Sequence, residues 1–334
     1  MKILFYCNTS IETLMSVEFY KQDIDALRDA GHQVIICTKY RQLFQSFDAI
    51  FIWWWSYALV PVVLAKAFRK KSIITGTFNF RHAELESKGD YFKKSFWKRG
   101  LISAAVRLAD LNIFVNKIER QECSAYFILK NADLLYHSVG GEYSKERSAR
   151  IELPFLFNIA WSGSLNLERK GVFILLEAIA ILAKRGESVS LVLAGREGDG
   201  KGLLGQSIQR LNIEPHVQLL GEITKEKKIE LLGSCVLYVQ PSKYEGFGLA
   251  LAEAMASGAA CLVTPVGALP EVVGDAGDYV AANSPSLLAD RISYLLRSPE
   301  RRSEIGELAT KRVRELFSYQ RKVEYFRRLP QRIL

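Results

Sequence analysis

The chain has 334 residues, 49% of them apolar and 24% charged, with a formal net charge of +9. That length accommodates two ordinary domains, each with its own core, and that balance excludes a disordered chain. The five cysteines (Cys7, Cys37, Cys123, Cys235 and Cys261) are scattered, with no Cys-x-x-Cys pair and no His cluster nearby. They read as reduced, packed thiols of a cytoplasmic protein and exclude a disulfide framework or a structural zinc site.

The chain opens on an apolar run that ends by Asn8, too short for the core of a signal peptide. Ile3–Cys7 reads as a strand, Thr13–Ala30 as one helix stopped by Gly31, and Gln33–Thr38 as a second strand. Residues 49–65 carry no charge, close to the minimum for a membrane span. Ser56, Tyr57 and Pro61 interrupt that run, and Pro61 suits the first turn of a new helix, so a buried strand (Ala49–Trp54), a loop and a helix (Pro61–Arg69) explain it better. Ser72–Thr77 and Leu111–Val115 continue the series. Strands this apolar, separated by helices, indicate a parallel sheet covered on both faces.

A second series follows the polar segment Gly140–Arg150. Its strands are Phe157–Gly163, Ser190–Gly195, Val217–Gly221, Val236–Pro241, Ala259–Thr264 and Asp278–Val280. Its helices are Lys170–Lys184, Lys201–Leu211, Lys225–Gly233 and Leu249–Ser257, followed by a long helical tail, Ser286–Leu329. The fold class expected is therefore α/β, with two doubly wound, Rossmann-like domains: residues 1–150, and residues 151–317. In such sheets ligands bind beyond the carboxyl ends of the strands, so two facing sheets would enclose a cleft.

The charge is uneven. Residues 1–150 hold 22 Lys and Arg against 15 Asp and Glu, the remainder 23 against 21. The excess lies largely between Lys66 and Arg99 and suits an anionic partner or, more simply, a solvated basic face. No nucleic-acid reading motif accompanies it, so nucleic acid is not expected as a partner. Within this region Tyr91-Phe92-Lys93-Lys94-Ser95-Phe96-Trp97-Lys98-Arg99 interleaves rings and cations in a way that suits an anionic membrane surface.

The richest segment is Pro241–Gly258. A strand enters a glycine-containing turn (Tyr244, Glu245, Gly246, Phe247, Gly248, Leu249) that opens into a helix bearing Glu253. Glycines there let backbone N–H groups approach a ligand, and a helix N-terminus offers unpaired donors to a diphosphate. Glu245 is placed to accept from sugar hydroxyls and Glu253 from those of a ribose; a charged turn with a capped helix is the plainer reading. The segment Trp161–Gly171 is a second strand-to-helix turn, with Arg169 and Lys170 where the helix is expected to begin. Cations there oppose the helix dipole by about 0.3–1 kcal/mol each, a conflict that a pyrophosphate would remove.

These segments resemble the donor domain of family 4 retaining glycosyltransferases, which have the GT-B fold. The matching residues are Gly163-Ser164-Leu165 with Arg169-Lys170-Gly171, then Leu191–Gly195, then Glu245-Gly-Phe-Gly-Leu through Glu253, continuing to Gly258, Val266-Gly267 and Pro270-Glu271. The resemblance implies that Lys170 and Arg169 act on the donor diphosphate. It further implies that Glu245 and the 246–249 backbone hold the transferred sugar and its phosphates. Glu253 then holds the ribose, Glu222 and Ile223 lie beside the base, and Gly163, Ser164, Gly195 and Tyr244 complete the donor pocket. The final helix, 318–334, is expected to rejoin the first domain. Ser164 stands where the family commonly has Arg. Asn8-Thr9-Ser10 replaces the usual glycine-rich loop, and the Thr75–Phe78 segment lacks a His, with His82 slightly beyond it. Asn8, Thr9, Trp54, Trp55 and His82 are the acceptor-side candidates. The implied reaction needs no metal and no cofactor; the lone Asp-x-Asp, Asp23-Ile24-Asp25, reads as a solvated helical pair. A peripheral position on the inner membrane face and a glycan or lipid-linked glycan acceptor complete the expectation. An epimerase or hydrolase on the same fold, or a nucleotide-sugar-binding module without turnover, are the alternatives.

Overall fold

In the computed structural model, residues 1–78, 91–143, 153–159, 164–195, 198 and 200–333 are described. The chain divides into two compact units: Met1–Ser138 together with Phe317–Leu334, and Val139–Leu316. The first division thus falls earlier than residue 150, because Tyr143 packs and hydrogen-bonds within the second unit.

The first unit runs β1 (Lys2–Cys7), α1 (Ile11–Ser16), α2 (Glu18–Asp29), β2 (Gln33–Cys37), β3 (Ala49–Trp53), α3 (Leu59–Ala67), β4 (Lys71–Gly76), α4 (Phe96–Leu108), β5 (Leu111–Phe114), α5 (Lys117–Tyr126) and β6 (Ala132–Leu134). All six strands are parallel, in the order β2-β1-β3-β4-β5-β6. Every residue of β3 is buried, as a strand covered on both faces requires. One layer of core holds Val62 and Ala65 of α3 with Ile102, Ala105 and Val106 of α4. The opposite layer holds Ile24 and Leu27 of α2 with Val323 and Phe326 from the C-terminus.

The second unit runs β7 (Leu153–Ile159), α6 (Ser164–Arg169), α7 (Val172–Lys184), β8 (Leu191–Ala194), α8 (Lys201–Leu211), β9 (Val217–Gly221), α9 (Lys225–Ser234), β10 (Cys235–Gln240), α10 (Leu249–Ala256), β11 (Cys261–Val263), α11 (Leu269–Val273), β12 (Asp278–Tyr279), α12 (Pro285–Leu296) and α13 (Pro299–Leu316). Its parallel strands are ordered β12-β11-β10-β7-β8-β9. The strand order reverses between β7 and β10, so the loops leaving those two strands flank the crevice where such sheets bind ligands. In α7, Val172, Leu175, Leu176, Ile179 and Leu182 recur at helical spacing and are all buried in the core of this unit.

Three expectations need correction. The helix expected over Thr13–Ala30 is two helices, because Val17 is extended (φ −90°, ψ 117°) and its N–H donates to Thr13 O. The tail expected as one helix over Ser286–Leu329 is several, broken before Pro299 and again at Phe317-Ser318, after which α14 (Tyr319–Arg327) and α15 (Leu329–Arg332) return to the first unit. Asp23 is not solvated: it is buried, accepting from Lys322 Nζ of α14 at 2.6 Å and from Trp53 Nε1 at 3.1 Å. All five cysteines are buried free thiols.

Candidate functional site

In the second unit the loop after β10 and the turn before α7 are locked together by backbone. Gly171 lies in the left-handed region (φ 68°), and a side chain there would run into the carbonyl oxygen of Pro241. Lys243 N–H donates to Arg169 O at 2.7 Å. From the other side Gly267 (φ 52°) leaves no room for a side chain against the Glu245 carbonyl, which accepts from Ala268 N–H at 2.9 Å. The loop carrying Glu245 is therefore fixed by two segments distant in sequence, Arg169–Gly171 and Gly267-Ala268.

Its carboxylate is buried, yet fully partnered. Lys170 Nζ donates to Oε1 in a short ion pair, and Gln240 Nε2 and Ser242 Oγ reach the same oxygen at 3.1 and 3.2 Å. Arg169 lies 3.6 Å from Oε2 and also donates to Tyr244 O at 3.3 Å. Burial pushes the Glu245 carboxyl up, but Lys170 and then Arg169 outweigh it and hold the group below the usual carboxylate range. Two cations thus face the one carboxylate.

The two cations are not at the start of a long helix, as the sequence suggested. Arg169 ends the short helix α6, where a cation is favoured, and Gly171 separates Lys170 from the first residue of α7. Any excess positive potential thus arises from the side chains rather than from a dipole conflict.

Glu253 lies in α10, whose N-terminal residue follows Gly248 (φ 89°). It is buried, and its Oε1 accepts from the Tyr143 hydroxyl at 2.9 Å and from Lys228 Nζ at 2.7 Å. Lys228 also sits 5.4 Å from the centroid of the Tyr143 ring. Both partners were missed from the sequence. Phe247 is buried, Gly195 N–H donates to Gly221 O at 2.8 Å, and beyond Gly221 the Glu222 side chain is exposed and Ile223 half-buried. Ser164 begins α6; Gly163 and His82 lie outside the described residues. Among the described residues no cluster of His, Cys, Asp and Glu could hold a metal ion.

In the first unit the acceptor-side candidates lie at the carboxyl ends of β1 and β3, the strands between which this sheet reverses. Asn8 is exposed, and Thr9 N–H turns back to Cys7 O at 2.8 Å. Trp53 and Trp55 are buried, whereas Trp54 is half-buried and adopts φ 79°, a conformation that costs a bulky residue about 1–2 kcal/mol. A hydrogen bond from Trp54 Nε1 to Tyr20 Oη at 2.5 Å and edge contacts with Phe19 and Trp53 hold it there. Trp54, Trp55, Ser56, Thr77, Phe78 and Tyr91 line most of a cavity of about 190 Å³.

Residues 158–312 match the family model described as Glycosyl transferases group 1. The chain is 34% identical over 161 residues to the MMP alpha-(1->4)-mannosyltransferase of Mycolicibacterium hassiacum, a match covering 47% of this chain and 38% of that protein. It is 33% identical over 168 residues to O-antigen chain mannosyltransferase B of Escherichia coli (48% and 43%). It is 30% identical over 164 residues to the phosphatidyl-myo-inositol mannosyltransferase of Mycobacterium tuberculosis (46% and 42%). These matches therefore span less than half the length of the curated relatives. Over almost the whole chain the structure superposes on HepE of Anabaena, solved with UDP and glucose (TM-score 0.79, 17% identity, 99% of each chain). It does the same on sucrose-phosphate synthase of Thermosynechococcus elongatus (TM-score 0.78, 16% identity, 99% and 98%). The chain has the GT-B fold, and most of its second unit matches group 1 of the glycosyl transferases.

Proposed function

We propose that this chain is a retaining glycosyltransferase that moves a hexosyl sugar from a nucleoside-diphosphate donor, a UDP or GDP sugar, to a glycan or lipid-linked glycan acceptor in cell-surface polysaccharide synthesis, lipopolysaccharide included. The observation that carries this reading is the cluster of buried Glu245 with the half-buried cations Lys170 and Arg169 near the reversal point of the second sheet. Its two cations suit a diphosphate, and an ionised Glu245 accepts from sugar hydroxyls without competing for a proton. Glu253, reached by swinging Lys228 aside, takes the ribose; Glu222 and Ile223 flank the base.

The chemistry follows from that placement. The bond from the sugar's anomeric carbon to the donor phosphate breaks, its electron pair going to the phosphate oxygen. Lys170, Arg169 and the N–H groups of Gly246–Leu249 stabilise the charge that develops there. The acceptor hydroxyl bonds to the anomeric carbon from the same face, and its proton passes to the departing phosphate. No side chain has to act as a base. The relatives' names support the direction of this reading: two are mannosyltransferases of an O-antigen chain and of a phosphoinositide lipid.

A thermal-shift panel of nucleotide diphosphates and nucleotide sugars tests it. A ligand at a hundred times its Kd adds about 2.7 kcal/mol of stability, so one base is expected to raise Tm clearly above the rest. Product analysis with that donor then separates transfer, which needs an acceptor, from epimerisation, which does not. No response to any nucleotide, or an isomerised donor as the product, would overturn the proposal.

A further inference from the structure

The first unit presents an apolar and basic face that neither its core nor the proposed reaction uses. In α4, Ile102, Ala105 and Val106 point into the core, yet Trp97, Leu101 and Leu108 recur on another side of the same helix, 79%, 51% and 39% exposed. Spacings of four and seven residues align them in one stripe. Phe96, 72% exposed, packs edge-on against Trp97. Helix α3 packs beside α4 in the same layer and leaves Val60 and Val63 about half exposed.

Charge says what this face is for. Residues 91–109 contain Lys93, Lys94, Lys98, Arg99 and Arg107 and no acid, and α3 with the turn after it contributes Lys66, Arg69 and Lys70, again without an acid. Lys66 is committed to Asp110 at 2.5 Å and Lys70 lies 3.9 Å from Asp48; Lys98 and Arg107 are exposed. Large exposed rings beside such a cationic excess do not fit an ordinary solvated surface. Among the described residues no helix is long and apolar enough to cross a membrane.

We propose that the outer face of α3 and α4 docks on an anionic lipid bilayer, with Phe96, Trp97 and Leu101 entering the headgroup boundary and the cations flanking them meeting lipid phosphates. The helix then lies in the plane of the interface rather than across it. The docking stands on this surface alone; only its use, bringing the first unit to a lipid-linked acceptor, rests on the transferase reading.

The full chain, sedimented with vesicles of neutral phosphatidylcholine with and without phosphatidylglycerol, tests it. Binding is expected to the anionic vesicles only, with a blue shift of tryptophan emission, and to weaken as salt shortens the screening length. Each cation near such a surface contributes about fivefold, so Lys93→Ala with Lys98→Ala is expected to weaken binding about 25-fold. Trp97→Ser with Leu101→Ser is expected to weaken binding and abolish most of the emission shift. Tm and the nucleotide response of both variants, whose changed side chains are exposed, should match the parent; that control separates loss of docking from loss of fold or of the donor site. Equal binding by either variant, equal binding to neutral vesicles, or a concentration-dependent dimer that these substitutions dissolve would overturn the proposal.

Discussion

The two units place different chemistry at equivalent positions of the same architecture. Each has a six-stranded parallel sheet whose order reverses once, and in each the turn beyond one flanking strand holds a residue at positive φ, Trp54 after β3 and Gly248 after β10. In the second unit the elements around that reversal carry paired ions, Lys170 and Arg169 on Glu245 and Lys228 of α9 on Glu253 of α10. In the first they carry rings, with Trp53 at the end of β3, Trp54 just beyond it and Phe19 and Tyr20 of α2 in mutual contact. The difference teaches where conformational precision is needed. On the proposed function, a diphosphate would be held by charges whose separation decides the energy, and the turns carrying Arg169–Lys170 and Glu245 are clamped at Gly171 and Gly267, where a side chain would meet backbone. On the same reading a glycan or lipid acceptor would need only broad apolar and stacking contact, which a rigid aromatic shelf supplies.

The largest effect that sharpens this contrast comes from removing one charge. Lys170→Ala leaves Glu245 buried with only the more distant Arg169, and a broken buried pair costs about 3–5 kcal/mol of stability. Transfer is expected to fall about 10²–10³-fold as the developing phosphate charge loses its nearest cation. Turnover and unfolding measured on the same preparation decide the matter: near-parental rates would refute the assigned role. A Trp54→Phe change at the equivalent place in the first unit keeps a ring and is expected to alter acceptor KM by no more than about tenfold.

Backbone precision is tested next. Gly171→Ala and Gly31→Ala both force alanine into the left-handed region, at about 1–2 kcal/mol. Gly31 has open space around it, whereas at Gly171 the new methyl meets the Pro241 carbonyl, adding about 1–3 kcal/mol of displaced backbone. Urea unfolding should therefore show about 2–5 kcal/mol lost at Gly171 and about 1–2 at Gly31. Equal losses would mean that the clamp on the Arg169–Gly171 turn is not tight.

Glu253→Gln is a smaller perturbation. It keeps the shape but removes the charge that Lys228 and Tyr143 serve, so donor KM is expected to rise about tenfold, roughly 1.4 kcal/mol, with kcat little changed. A kcat loss with unchanged KM would move Glu253 from binding the ribose to the reacting centre.

How much of this was legible follows from the range of each interaction. The strands of both sheets were visible as apolar runs except β6, whose three half-buried residues Ala132-Asp133-Leu134 form no such run, and Glu245, Glu253 and Lys170 stood out because glycines and charges cluster within single turns. Tyr143 did not, since it lies in a polar stretch without periodicity and meets Glu253 across 110 positions. Lys228 stands among the charges Lys225-Glu226-Lys227-Lys228 of the helix expected over Lys225–Gly233, where nothing local marks it out. Asp23 was misjudged for the same reason: its partner, Lys322, is 299 residues away, and without that cation a buried aspartate makes no physical sense. Local pattern reveals elements and turns; it is blind to charges that are buried because a distant segment completes them.

The smallest effect separates the units by acid. His137, buried against Trp53 in the first unit, is held well below the ordinary His range, by burial first and by Lys322 second. It stays neutral when folded, whereas the unfolded chain takes up a proton below about pH 6.5. The unfolded state then binds more protons, so stability is full above that pH and is lost as pH falls, by up to about 1.4 kcal/mol per unit. Glu245 in the second unit is shifted the other way relative to its charge: its carboxyl is depressed, so its contribution is present above the ordinary carboxylate range and is lost only as pH falls through its lower folded value. Between about pH 6.5 and pH 5 the first unit should therefore weaken while the ion cluster of the second is untouched. Hydrogen exchange followed by unit across that window reads this directly, and His137→Asn should flatten the decline in the first unit. Buried His32 of the same unit is lowered in the same direction and leaves a residual decline, so a parallel decline in both units, or one that the substitution does not lessen, would place the acid sensitivity elsewhere than in His137.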